Sequence, residues 1–296
     1  MSLIHCIMQK NILLLTCLLW LNLCHAQRTV HDLLPEHSFT EGIEGPATDC
    51  KGNIYAVNYQ RQGTICKITP TGEHSVYAIL PGTSVGNGIR FGKKGEMYVA
   101  DYVNHNIFKI TRNGKKVKLF AHEPAMNQPN DLAISPTNGY LYASDPDWKA
   151  GTGKLWLIKP NGEVILLAEN LGTTNGIEVS PDGKHLYVGE SAQLKLWKYD
   201  ILEDGTLTNK QLFHSFEGYG MDGMRCDING NLYLARYGKG TVVILSPDGH
   251  LLEEIRLKGN KPSNLTFGGK DRKTCYITMA DRGCLEYFDA DFPGRE

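Results

Sequence analysis

The sequence predicts an all-β protein, a six-bladed β-propeller with four antiparallel strands in each blade. A residue with a side-chain oxygen recurs six times, at intervals of 42 to 47 residues. These ring residues are Glu44, Asn87, Asn130, Asn175, Asp222 and Asn264. Each is followed by short β-rich segments joined by glycine-containing turns. A period of about 40–50 residues with four strands in each unit is typical of propeller blades.

The unit that begins at Asp222 illustrates one blade. Strands are predicted at 223–227, 232–235, 241–245 and 251–255. Asn-Gly and Asp-Gly pairs lie in the turns between them, and such pairs are the strongest local signal for a hairpin. The other units repeat this order, so we expect one propeller domain over residues 27–296.

The last unit contains three predicted strands, at 265–267, 275–278 and 285–288. The missing fourth strand is expected from residues 28–40, which precede the first blade. Four apolar residues of that segment could pack against the propeller: Val30, Leu33, Leu34 and Phe39. Closing the ring in this way would remove the open sheet edges that favour aggregation.

Residues 1–26 have the pattern of a secretory signal peptide. Lys10 precedes an apolar run over residues 12–23, and Cys24-His25-Ala26 is typical of a cleavage site. The run is shorter than the about 20 apolar residues of a membrane span, and an uncleaved anchor is the alternative. We expect a secreted or periplasmic protein that does not associate with membranes after cleavage.

The net charge of the chain argues against one class of partner, and its cysteine count indicates free thiols. The net charge is −1, and no basic patch of the kind that binds a phosphate backbone is present, so nucleic acid is not expected as a partner. Five cysteines would remain after cleavage: Cys50, Cys66, Cys226, Cys275 and Cys284. Because the number is odd, we expect buried free thiols.

The ring residues precede the innermost strands, so we expect them to face one mouth of the central channel together. A turn-forming role is the alternative for any one of them, although Glu44 is a poor turn residue. The set contains two carboxylates and four amides, an oxygen shell that Ca²⁺ and Mg²⁺ prefer. Two carboxylate charges balance one divalent cation, and the lack of histidine in this register argues against zinc.

Five short motifs are specific as an ordered set: Glu44-Gly45-Pro46, Pro129-Asn130-Asp131, Asn175-Gly176-Ile177, Pro181-Asp182-Gly183 and Met221-Asp222-Gly223-Met224. Through them, the chain resembles the calcium-dependent six-bladed propellers of the senescence-marker-protein/gluconolactonase family. That family includes regucalcin-like proteins, bacterial lactonases and, more distantly, diisopropylfluorophosphatase. The resemblance extends over essentially the whole mature chain.

The resemblance implies a Ca²⁺ cofactor, with Mg²⁺, Mn²⁺ or Zn²⁺ as alternatives. The implied metal contacts are Glu44, Asn130, Asn175 and Asp222, with Asn130 also able to meet the substrate. The pair Asp145-Pro146 also resembles the corresponding sequence of bacterial gluconolactonases. The chain departs from animal gluconolactonases at Gln128, where they carry an arginine, and this departure bears on any preference for sugar-acid lactones.

The resemblance also implies metal-assisted hydrolysis of a lactone. Asp222 is the expected general base, and Asp131 is the second candidate. The expected substrate contacts are Asn87, Asn130, Asp145, Arg236 and Asn264. Two alternatives stay open: a phosphotriesterase-like hydrolase that uses the same ring, and a non-catalytic propeller that binds a sugar or a protein partner.

Overall fold

The computed structural model describes residues 28–295 and confirms the six-bladed β-propeller, in which each blade is a four-stranded antiparallel sheet. The described residues contain no helix, and therefore none long and apolar enough to cross a membrane. The predicted signal peptide lies outside the described residues, and the export that it implies stays a prediction.

The strands follow the chain from blade to blade. The first strand, β1, covers His31–Asp32. Blade 1 contains β2 (Ala47–Thr48), β3 (Ile54–Val57), β4 (Thr64–Ile68) and β5 (His74–Ile79). Blade 2 contains β6 (Gly86–Phe91), β7 (Met97–Asp101), β8 (Asn106–Ile110) and β9 (Val117–His122). Blade 3 contains β10 (Leu132–Ile134), β11 (Leu141–Asp147), β12 (Thr152–Ile158) and β13 (Val164–Leu171).

The second half of the ring has the same organisation. Blade 4 contains β14 (Thr174–Val179), β15 (His185–Glu190), β16 (Lys195–Ile201) and β17 (Leu207–Ser215). Blade 5 contains β18 (Met224–Cys226), β19 (Leu232–Arg236), β20 (Thr241–Leu245) and β21 (Leu251–Arg256). Blade 6 contains β22 (Pro262–Gly268), β23 (Thr274–Met279), β24 (Cys284–Asp289) and β1.

The N-terminal segment closes the ring, as predicted. His31 pairs with Tyr287 and Asp32 with Glu286, so β1 is the fourth strand of blade 6. The strand has only two residues, because Pro35 lacks an N–H donor and the chain then turns at His37, which has a φ of 62°. Leu34, before the turn, and Phe39, beyond it, are buried against blades 1 and 6.

The hydrophobic core lies between the blades. In the described part of the chain, six clusters of buried apolar side chains each join two neighbouring blades. Every blade is therefore held on both of its faces, and the innermost strands are fixed around a common axis. The five cysteines of residues 28–295 are free; four are buried, whereas Cys50 is exposed in the turn after β2.

Candidate metal and active site

The ring residues lie at the start of the innermost strand of each blade. Glu44, Asn130 and Asp222 stand two or three residues before β2, β10 and β18. The other three lie inside β6, β14 and β22, where the register of pairing shifts next to them: Asn87, Asn175 and Asn264. Such bulges redirect a side chain away from the alternating pattern of a strand. We call this end of the channel the upper mouth.

Close packing between blades explains the glycines that follow four ring residues. A Cβ added at Gly176 would lie 2.0 Å from the carbonyl oxygen of Asp222, and one at Gly223 would lie 1.9 Å from Cγ of Asn264. Neither glycine has a left-handed backbone. The turn-forming alternative is therefore wrong at these two positions, where glycine instead lets the neighbouring ring residue approach the axis.

This packing predicts a large loss of stability for Gly176→Ala. The new methyl group would collide with backbone, which cannot move aside as a side chain can. We expect the free energy of unfolding to fall by about 3 kcal/mol, as measured by urea denaturation. Gly189→Ala is the matched control in the adjacent strand, because its Cβ would make only ordinary van der Waals contacts, the nearest with the Met224 methyl group at 3.4 Å. Equal effects of the two substitutions would contradict the packing explanation.

An amide links two carboxylates across the ring. Asn264 Nδ2 donates to Glu44 Oε2 at 3.0 Å and to Asp131 Oδ2 at 3.3 Å. Asn264 Oδ1 accepts a hydrogen bond from the Leu265 N–H at 2.9 Å, so both ends of this buried amide are used. The structure thus brings together Glu44, Asp131 and Asn264, three of the predicted site residues.

Burial makes the ring carboxylates costly to ionise together. Burial first, and then the charge of Asp131, raises the pKa of Glu44 to about 7, against hydrogen bonds from Gly45 and Asn264. The pKa of Asp222 lies well above its usual range, because of its burial and then the charges of Glu44 and Asp131. A cation near these carboxylates would offset both effects.

Asn175 supplies an observation that fits such a cation. Its Nδ2 donates to the Met221 carbonyl at 3.5 Å. Its Oδ1 is buried, with no hydrogen-bond partner among residues 28–295. An unpaired buried acceptor costs about 1–3 kcal/mol, which a ligand at this oxygen would remove. Glu44, Asn175 and Asp222 together offer the oxygen donors that hard cations take.

The ring differs from a cluster of conventional metal ligands. In the described part of the chain, no group of three or more His, Cys, Asp or Glu side chains is placed to hold a metal ion. The ring combines carboxylates with amides, so its donor set is not of that composition. The ring therefore remains the candidate metal site, because its carboxylate and amide oxygens are the donors that hard cations prefer.

Below the ring, four buried charges alternate across the channel. Arg90 lies 3.1 Å from Asp131 and 3.7 Å from Glu178. Arg225 lies 3.5 Å from Asp131 and 4.0 Å from Glu178. We call this set of two cations and two anions the charge square. Burial, and then the positive charge of Arg90, lowers the pKa of Arg225 to about 10.

The C-terminal segment contributes a fifth charge. The Arg295 guanidinium pairs with Glu178 and donates to the Ile134 carbonyl at 3.1 Å. Its backbone N–H donates to the Cys226 carbonyl at 3.0 Å, which fixes the segment against blade 5. The channel therefore carries three cations and two anions below the ring.

Aromatic side chains surround the upper mouth. Burial, and then the Asp222 charge, raises the pKa of Tyr237, and the same two causes, burial first, act on Tyr102. Tyr102 also interacts with the side chains of Gln128 and Trp148. Trp148 is partly open to solvent, with 44% of its surface exposed. A ligand that reaches Asp222 would thus meet aromatic rings and the Gln128 amide.

The polar atoms of Asp145 and Arg236 form hydrogen bonds with loops of the upper mouth. Asp145 is fully buried, and its carboxylate accepts hydrogen bonds from Asn127 N at 2.8 Å, Gln128 N at 2.6 Å and Trp156 Nε1 at 2.8 Å. Arg236 donates to the carbonyls of Gly218 and Gly220 at 2.6 and 3.3 Å. Both side chains position the loops that frame the mouth.

The remaining ring members are also held by the backbone. Asn87 Nδ2 donates to the Asn130 carbonyl at 3.2 Å, and Gly88 N donates to the same oxygen at 2.9 Å. Asn130 is itself 7% exposed. The amide oxygen of Asn87 is left as an acceptor on the less buried side of the ring.

Comparison with known proteins identifies the family. The protein-family model described as SMP-30/Gluconolactonase/LRE-like region matches residues 42–281, which is most of the propeller. The chain belongs to this family. Its predicted resemblance to that family is therefore confirmed.

Relatives of this SMP-30/gluconolactonase-like propeller are moderately similar. A gluconolactonase from Zymomonas mobilis is 28% identical over 273 residues, which cover 80% of this chain and 76% of that protein. A 6-deoxy-6-sulfogluconolactonase from Pseudomonas putida is 32% identical over 144 residues, or 48% of this chain and 50% of that protein. The solved structure of the calcium-binding protein regucalcin from Agrobacterium tumefaciens has a TM-score of 0.75 at 21% identity, covering 91% of this chain and 95% of that one. This likeness supports the fold.

Sequence reasoning missed the charge square of this SMP-30/gluconolactonase-like chain. Its members Arg90, Glu178 and Arg225 each stand three positions after a ring residue. The repeat interval that revealed the ring residues could also have revealed these three, because a charged residue in an otherwise apolar inner strand is uncommon.

Proposed function

We propose that this protein hydrolyses a lactone at the upper mouth, with a divalent cation, Ca²⁺ as the expected ion, and with Asp222 as the proton acceptor. The observation that carries the proposal is the buried cluster of Glu44, Asp222 and Asn175, in which two carboxylates have raised pKa values and an amide oxygen has no partner. Membership of a family with lactone hydrolases among its relatives supports the same reaction.

Each residue of the cluster has a distinct proposed role. Glu44, Asn175 and Asp222, with Asn130, would hold the cation, which supplies Lewis acidity toward the lactone carbonyl oxygen when bound. Asp222 takes a proton from the attacking water, because burial and the charges of Glu44 and Asp131 raise its pKa and so make it a stronger base than a carboxylate in water. The water oxygen forms a bond to the carbonyl carbon, the ring C–O bond breaks, and the proton passes to the leaving oxygen. The product is the open hydroxy acid.

Asp131 has a positioning role in this proposal. Its oxygens are already occupied by Arg90, Arg225, Asn264 and the Leu132 N–H. Both carboxylate oxygens are therefore engaged by protein donors. We therefore place Asp131 behind the ring, where it fixes Asn264 and, through it, Glu44.

The upper mouth supplies the proposed substrate contacts. Asn87 and Asn130 offer polar contacts beside the cation, and Tyr102, Trp148 and Tyr237 offer aromatic surfaces. Asn264, Asp145 and Arg236 contribute by holding the ring and its loops in place, because their polar atoms already have protein partners. Phosphotriester hydrolysis is less favoured, because the two relatives named for lactones are 28% and 32% identical to this chain, whereas a diisopropyl-fluorophosphatase from Loligo vulgaris is 26% identical.

A lactone panel assayed with and without chelator tests the proposal. We expect hydrolysis of at least one lactone, loss of activity with the chelator, and recovery on adding Ca²⁺. Aryl ester and phosphotriester substrates in the same panel test the specificity. Turnover of phosphotriesters alone would support the phosphotriesterase-like alternative. Calcium binding without turnover of any substrate would support a non-catalytic propeller.

A further inference from the structure

The end of the channel opposite the ring opens into a cavity of about 710 Å³. Its wall includes the far ends of the innermost strands, among them Thr48, Phe91, Ile134, Cys226 and Phe267. We call it the lower cavity. Its volume lies within the about 300–1,000 Å³ that is usual for small-molecule sites. The charge square separates it from the ring, because Arg90, Arg225 and Glu178 also form part of its wall.

The lower cavity is strongly cationic. Among residues 28–295, seven lysines and arginines line it, against two carboxylates: Arg90, Lys93, Lys94, Arg112, Arg225, Arg272 and Arg295, with Asp49 and Glu178. Glu178 belongs to the charge square. Asp49 accepts hydrogen bonds from Lys51 N, Asn53 Nδ2 and the Tyr55 hydroxyl, so its charge is directed into its own turn. Glu178 is fully buried, and Asp49 is half-buried.

Three cations on the rim have no ionic partner. Within residues 28–295, no carboxylate comes within salt-bridge distance of Lys93, Lys94 or Arg112, although salt bridges form at many other lysines and arginines. Lys93 and Lys94 lie in the turn after β6, and Arg112 lies in the turn after β8. Because the turns belong to the same blade, the three charges are held on one side of the opening.

The deeper wall carries an unused donor. Arg90 is 6% exposed, and its Nε is buried with no hydrogen-bond partner in the described part of the chain. A buried donor without an acceptor is costly, and a ligand that accepts a hydrogen bond would remove that cost. Phe91, Ile134 and Phe267 supply an apolar surface between this donor and the rim.

We propose that the lower cavity is a second binding site, which takes a small organic phosphate. The phosphate would lie against Lys93, Lys94 and Arg112, since lysine binds phosphate as a point charge and arginine binds it with paired N–H donors. The uncharged body of the ligand would lie along Phe91, Ile134 and Phe267. This site does not depend on the proposed hydrolysis, because the charge square separates it from the ring.

Cys50 provides a reporter inside this cavity. Its exposed thiol lines the wall, and Sγ lies 3.7 Å from Arg112 Nη2. The other four cysteines of the described residues are buried. The rate at which N-ethylmaleimide modifies Cys50, followed by mass spectrometry of its peptide, therefore reports whether the cavity is occupied. The assay requires no catalytic turnover.

Phenyl phosphate is the probe, at constant ionic strength. At about ten times its Kd, we expect the rate of Cys50 modification to fall about tenfold, because only the empty site reacts. Lys94→Gln should remove most of this protection. Lys115→Gln, an exposed lysine outside the cavity wall, should leave it unchanged. Calorimetric titration of the same proteins measures the affinity directly.

Three results would overturn the proposal. The first is an unchanged labelling rate together with no binding heat. The second is equal protection of the wild type and Lys94→Gln. The third is equal protection by benzoate, which would indicate general attraction of anions instead of phosphate recognition. Loss of lactone hydrolysis in the upper-mouth variants, with protection of Cys50 retained, would show that the two sites are independent.

Discussion

Asp222→Asn should reduce kcat for lactone hydrolysis by about 10³-fold or more, while the protein stays folded. The substitution keeps the size of the side chain and its polar contacts but removes the proton acceptor, and general-base catalysis contributes about 10²–10⁴-fold. The variant also removes one carboxylate from the proposed cation site. Its melting temperature in the absence of metal should not fall, because the lost charge is one that burial and the Glu44 carboxylate disfavour.

Asp248→Asn is the matched control for this variant. Asp248 lies in the same blade, in the exposed turn between β20 and β21, and the same exchange of carboxylate for amide should leave kcat unchanged. Assays at saturating Ca²⁺ separate weak metal binding from loss of the base. A kcat for Asp222→Asn within tenfold of the wild type at saturating metal would remove Asp222 from the chemical step.

Metal-free protein should lose stability as the pH rises from about 4.5 to about 7. In the folded state, the pKa of Glu44 is raised from 4.5 to about 7, so the carboxyl keeps its proton over this range while the unfolded chain releases it. Because the folded state then binds more protons than the unfolded state, the free energy of unfolding falls with pH. The shift corresponds to about 3 kcal/mol, and the raised pKa of Asp222 acts in the same direction.

Calcium should restore this stability, and it should do so most strongly above about pH 7, where no proton competes for the carboxylates. Urea denaturation over a pH series, with chelator and with Ca²⁺, measures both effects.

Glu44→Gln is the informative variant, because it cannot ionise. Its metal-free form should be more stable than the wild type at about pH 8, by about 2–3 kcal/mol, and should gain less from Ca²⁺. Identical pH profiles for the two metal-free proteins would contradict the burial of an ionised Glu44.

The architecture was predictable because its signals are local and repeated. Each hairpin has its own turn residues, and the interval between ring residues places every blade in the same register. Closure by residues 28–40 followed from a missing strand and from apolar residues such as Leu34 and Phe39, which are buried as expected. The length of β1 was not predictable, since it depends on where Pro35 stops the pairing.

The candidate site was less predictable, because it depends on contacts across the channel. Asp131 and Arg225 are separated by 94 residues, and no local pattern indicates that they meet at 3.5 Å. Alternation along a strand does not distinguish a side chain that meets ligand from one that holds a loop, as Asp145 and Arg236 do. The role of the glycines after the ring residues was not predictable for a related reason: the atoms that exclude a Cβ belong to the next blade.

The charge square also determines how molecules enter and leave this protein. Four charged side chains separated by 3.1 to 4.0 Å leave no passage for a solute along the axis. A molecule that reaches the ring must depart through the opening by which it arrived. Product and incoming substrate therefore use the same opening. Turnover is expected to slow as the hydroxy acid accumulates, with the pattern of competitive product inhibition.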